Sequence, residues 1–146
     1  MGYKNNSYTM NENEYGKFEI LVGDFISEGV HRKVYNHKKD NTLVIKVKKD
    51  SHFDDHSKIE VLNWINSNED IRKWLAPIVD YSKDYRYTIQ KKIKLGYECP
   101  KNLPTFLKKY PPDIKSGHKN EKLHWGKFED RLVLCDYGRV LFNSKK

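Results

Sequence analysis

Apolar residues along the chain follow two rhythms. In "TLVIKVKK", residues 42–49, a strand's alternation puts Val44 and Lys46 on one face and Ile45 and Val47 on the other. "FEILVGDFI" (18–26) reads as a strand with a break at Gly23, and "KVYNH" (33–37) as another. "KKDN" joins the second strand to the lysine-bearing run, and its Asp40-Asn41 pair suits a hairpin turn. An antiparallel meander is therefore expected first. The rhythm changes in "SHFDDHSKIEVLNWINSNEDIRKWL" (51–75), where Ile59, Leu62 and Ile65 recur every third residue. With Ser51, Asp54 and Asp55 as capping candidates, this spacing predicts a helix.

Two more strands are expected around Ile78 to Tyr81 and Tyr85 to Ile93, with Ser82 to Asp84 as their turn. Gly96, Pro100 and Pro104 punctuate a linker, "LPTFLKKY" makes a short helix stopped by Pro111-Pro112, and the stretch to Lys122 reads as loop. "KFEDRLVLCDYGRVLF" (127–142) predicts a hairpin turning at Glu129-Asp130, then a strand reaching Asp136. Residues 1–16, polar, rich in Asn and Tyr and without period, are expected to form a mobile arm. No internal repeat is visible.

Composition narrows the class. The 146 residues suffice for one domain or two small lobes, and 13% aromatics favour a packed interior even though mean hydropathy is −0.90. Lys and Arg number 28 against 20 Asp and Glu, a formal +8, which favours anionic partners: nucleotides, nucleic acid or acidic protein surfaces. Cys99 and Cys135 lie far apart and no signal-like apolar stretch opens the chain, so a reduced, cytoplasmic setting is expected. No run approaches the roughly 18 apolar residues of a membrane span, so no membrane partner is expected. His118 and His124 with either cysteine match no zinc-finger spacing.

The element order, together with "ISEGVHRKVY" (26–35), "LVIKV" (43–47), Glu60 in the helix and "LHWGKFEDRLVLCDYG" (123–138), resembles the protein-kinase-like fold. Within it, the "WG" and "RLV" hairpin leading into Asp-Tyr-Gly is similar to small, podovirus-type serine/threonine kinases of lytic bacteriophages. The resemblance covers roughly residues 20–140 and implies an α+β fold: an antiparallel-sheet N-lobe with one main helix over 17–95, and a strongly reduced C-lobe over 96–146. It implies that Lys46 meets nucleotide phosphates and pairs with Glu60, and that Asp136 holds Mg²⁺ carried by ATP. Gly29 takes the middle glycine position of the phosphate loop, with Ser27 and Arg32 at the outer two; Arg32 offers a bidentate phosphate donor.

The chain departs from the family at the catalytic loop. Counting back from "WG", the metal-binding Asn position falls on His124 and the general-base Asp position on Lys119, and neither side chain can do the family's chemistry. Only eight residues follow Gly138 in this sequence. The resemblance therefore implies a truncated pseudokinase that binds ATP and Mg²⁺ and acts on a host protein in the host cytoplasm. The alternatives are an active minimal serine/threonine kinase, and a small basic nucleic-acid binder with "DYSKDYRYTIQKKIK" as a stacking platform.

Overall fold

The structure is a computed structural model that describes residues 12–49, 55–108 and 110–142. It is an α+β chain built on antiparallel sheets. Two compact units are present, one formed by residues up to Lys58 with Ile78–Lys92, the other by Ile59–Pro77 with Ile93–Lys146.

The first unit carries helix α1 (Glu12–Glu19) and strands β1 (Val22–Glu28), β2 (Arg32–His37), β3 (Leu43–Lys48), β4 (Ile78–Tyr81) and β5 (Tyr87–Lys91). Its sheet has the order β1-β2-β3-β5-β4, with β3 in the middle and every neighbour antiparallel. The expected turn between β2 and β3 forms as read, with the Asp40 carboxylate accepting the N–H and hydroxyl of Thr42 at 2.9 and 2.6 Å. Those two bonds hold the Asp40 carboxyl below its usual range.

Two expectations near the N-terminus are corrected. Residues 12–16 lie in a helix rather than an arm, and residues 18 and 19 end that helix rather than begin a strand. The part of the expected arm before residue 12 lies outside the described residues. Tyr15 and Phe18, one helical turn apart, put their rings on the sheet: Phe18 joins Leu43, Ile45, Tyr87 and Ile89 in the core, with Tyr15 packed against it. Phe18 stacks on Tyr87 at 5.4 Å between centroids, and the Tyr15 hydroxyl donates to Asp84 at 2.6 Å. Burial of this apolar face overrides the weak helical signal of an Asn- and Glu-rich segment. Gly23 does not break β1; a Cβ there would come within 2.7 Å of the Asn36 carbonyl, so glycine permits close strand approach beside a bulge.

The long predicted helix is two helices, α2 (His56–Ile65) and α3 (Glu69–Arg72), with Asn68 capping the second through Ile71 N–H. Its caps Ser51 and Asp54 lie outside the described residues. The buried face of α2 is not the one the apolar spacing indicates. Ser57, Glu60, Val61 and Asn63 are buried, whereas Ile65 is 42% exposed and Ile59 and Leu62 are half-buried.

In the second unit, β6 (Lys94–Leu95), β7 (Trp125–Phe128) and β8 (Arg131–Leu134) form a three-stranded antiparallel sheet. The β7–β8 turn falls at Glu129 and Asp130, both with positive φ, as the sequence indicates. Gly126 is required, because a Cβ would lie 2.3 Å from the Ile93 side chain and 2.7 Å from the Lys94 carbonyl. Strand β8 stops at Leu134, two residues short of the expected Asp136. The short helix α4 (Thr105–Lys108) forms as read, and the expected loop after Pro111 contains 3₁₀ turns at Pro112–Ile114 and Glu121–Leu123.

Candidate functional site

Strand β3 presents Lys46 as the alternation requires. Lys46 is 7% exposed, opposite Val34 on β2 and Thr88 on β5. Directly opposed residues share a face, so Arg32, Val34, Val44, Lys46, Thr88 and Gln90 lie together, away from the Phe18–Ile45–Ile89 core. Arg32, Thr88 and Gln90 are also buried, and the Thr88 hydroxyl finds no hydrogen-bond partner among the described residues. Burying two cations on one sheet face is costly unless anionic or polar groups compensate them.

Gly29 sits in the β1–β2 connection, where its N–H donates to the Arg32 carbonyl at 2.9 Å and closes the loop. The position is exposed, and a Cβ would meet only that carbonyl, at 3.9 Å. Nothing in the chain's own backbone therefore demands glycine. In the same loop His31 stacks on His56 at 4.1 Å between centroids.

In the second unit, Glu60 is fully buried on α2, and its Oε2 accepts the Tyr137 backbone N–H at 2.9 Å. The glutamate expected to brace a lysine anchors the Asp-Tyr-Gly segment. Tyr137 is itself fully buried, donating its hydroxyl to the Ala76 carbonyl at 2.6 Å. Asp136, on which the metal role was placed, is half-buried just beyond β8. Burial pushes the Tyr110 phenol well above its ordinary value, and the Glu60 and Asp136 charges act in the same direction.

Sequence reasoning missed Asn63. One turn after Glu60 and 3% exposed, its Nδ2 donates to the carbonyls of Tyr137 and Val140 at 2.8 and 3.0 Å, and its Oδ1 accepts the Phe142 N–H at 2.8 Å. The available signal was a polar stripe, Ser57, Glu60 and Asn63, recurring every third residue along α2. Glu121 was missed too. Its carboxylate accepts the N–H groups of Cys99 and Gly117 at 2.6 and 2.8 Å, which lower its pKa and tie the linker to the 3₁₀ segment.

At the two anomalous catalytic-loop positions, Lys119 is exposed and His124 half-buried, with the His124 carbonyl taken by the Cys135 N–H at 2.9 Å. In the stretch considered for base stacking, Tyr87 belongs to the core, and Tyr81 and Tyr85 stack on each other at 6.1 Å. Among the described residues no three His, Cys, Asp or Glu side chains gather to hold a metal ion. Among the described residues no helix is long and apolar enough to cross a membrane. No family model, curated protein or solved structure matches the chain.

Proposed function

We propose that the chain is a kinase-like protein of bacteriophage type that binds ATP with Mg²⁺ and acts on a host protein by contact in the host cytoplasm. The observation that carries this reading is Lys46: a lysine 7% exposed on the middle strand of an antiparallel sheet, sharing its face with buried Arg32. Two cations sharing one sheet face suit a polyanionic ligand, and triphosphate matches that charge. The helix after the third strand and the fixed Asp-Tyr-Gly segment also support it.

In this reading, within the first unit, Lys46 and Arg32 contact phosphate oxygens and Gly29 lets the loop approach them; within the second, Glu60 holds the segment bearing Asp136, a hard oxygen ligand for Mg²⁺. Bound Mg²⁺ supplies charge neutralisation on the phosphates. Phosphoryl transfer is not part of the reading, because a lysine and a histidine stand where the base and second metal ligand belong.

Thermal unfolding with and without ATP and Mg²⁺ tests it. At ligand 100-fold above Kd the gain is about 2.7 kcal/mol, a rise of roughly 5–10 °C for a chain of this size. Lys46→Ala and Asp136→Ala should abolish most of the rise, and a wild-type midpoint that ATP does not move would refute nucleotide binding. Labelled ATP incubated with host extract should show no transfer dependent on Asp136.

A further inference from the structure

We propose that Asn63 is a positioning residue for the Asp136 carboxylate, strapping the chain on both sides of the Tyr137-Gly138 step to helix α2. The functional half of this inference rests on the nucleotide reading; the structural half stands on the hydrogen bonds alone. Residue 137 has both backbone polar groups taken by one helix, its N–H by Glu60 and its carbonyl by Asn63. The two peptide planes that follow Asp136 are thereby fixed. Upstream, the Leu134 N–H donates to the Trp74 carbonyl and the Leu134 carbonyl accepts the Ala76 N–H, at 2.8 and 2.9 Å, while the Cys135 N–H is bonded to His124. Asp136 sits between two pinned stretches and has little backbone freedom of its own.

The carboxamide does a second thing that no other side chain type can copy. Its two donors reach Tyr137 and Val140 carbonyls while its oxygen accepts the Phe142 N–H, so one group ties together residues 137–142. A carboxylate has no donors for the two carbonyls, and an alanine leaves all three groups behind. Phe142 completes the strap. It is 5% exposed, with its ring 4.8 Å from Phe106 and 5.5 Å from Tyr110 between centroids, and the Tyr110 hydroxyl accepts the Arg139 N–H at 3.3 Å. Residues 139–142 therefore serve as an anchor for the backbone that follows Asp136.

Calorimetric titration of ATP, in Mg²⁺ and separately in EDTA, into wild type and Asn63→Ala reads the effect. Residues that orient a metal ligand typically change metal affinity about 10- to 100-fold, so Asn63→Ala should weaken ATP binding by that factor in Mg²⁺ and leave the EDTA value unchanged. Equal losses in both conditions, or none in either, would overturn the positioning role. Should Asn63→Ala not fold, Phe142→Ala releases the strap while keeping the carboxamide, and the same split is expected. If wild type binds no nucleotide, the failure belongs to the nucleotide reading, and hydrogen exchange decides the anchor. The Asn63 side-chain amide protons and the Phe142 amide of the wild type should exchange slowly; fast exchange of either would overturn it.

Discussion

Tyr137→Phe removes one oxygen from the most enclosed part of the second unit. The phenol is fully buried and donates to the Ala76 carbonyl at 2.6 Å, while the ring lies 6.2 Å from Phe142 between centroids. Phenylalanine keeps the ring, so no large cavity opens; what is lost is a buried hydrogen bond. Such a loss costs about 1–2 kcal/mol. With a urea m-value of about 2 kcal/mol/M, the midpoint should fall by roughly 0.5–1 M at unchanged m. Tyr81→Phe is the control, because Tyr81 is 37% exposed on an edge strand, and its midpoint should stay with wild type. Equal midpoints for Tyr137→Phe and wild type would refute the claim that this hydroxyl fixes the Asp-Tyr-Gly segment against Ala76.

Other expectations follow from particular contacts. Gly126→Ala would force a Cβ against the Ile93 side chain and the Lys94 carbonyl and should cost about 1–3 kcal/mol or more by overpacking, whereas Gly29→Ala should leave the unfolding midpoint in place and weaken ATP binding. Glu121 has a depressed pKa from its bonds to Cys99 and Gly117, so its contribution is present above the ordinary carboxyl value of 4.5 and is lost as pH falls through the lower folded value; urea midpoints measured down through that range should drop less steeply for Glu121→Gln. The hydrogen bond to Asp84 raises the Tyr15 phenol to about 12, so its stabilising effect is complete below the ordinary phenol value of 10.0 and is lost as pH rises through about 12. Ultraviolet titration should show late-ionising tyrosines, one fewer of them in Tyr15→Phe.

The strands were legible because their side chains report burial directly. Leu43–Lys48 alternates so plainly that both faces of β3, including the inward Lys46, could be read residue by residue, and the β2–β3 and β7–β8 turns were marked by residues suited to them. Helix α1 was hidden because only Tyr15 and Phe18 carry its apolar face, and the surrounding Asn, Glu and Gly16 dilute the period. Helix α2 was found but rotated. Apolar spacing pointed to Ile59, Leu62 and Ile65, while the groups it buries most completely include Glu60 and Asn63, whose partners lie more than 70 residues further along the chain. A buried polar residue is stabilised by groups that no local pattern contains. For the same reason the sequence marked Asp136 as a candidate carboxylate and left unseen the carboxamide beside it in the fold.

The central claim, that Lys46 contacts nucleotide phosphates, is tested most directly by an ATP analogue bearing an acyl-phosphate group, which transfers its acyl group to an amine lying beside the phosphates. Peptide mass spectrometry should find Lys46 acylated before the exposed lysines, with excess ATP suppressing the reaction. Acylation spread over surface lysines, indifferent to ATP and sparing Lys46, would contradict it.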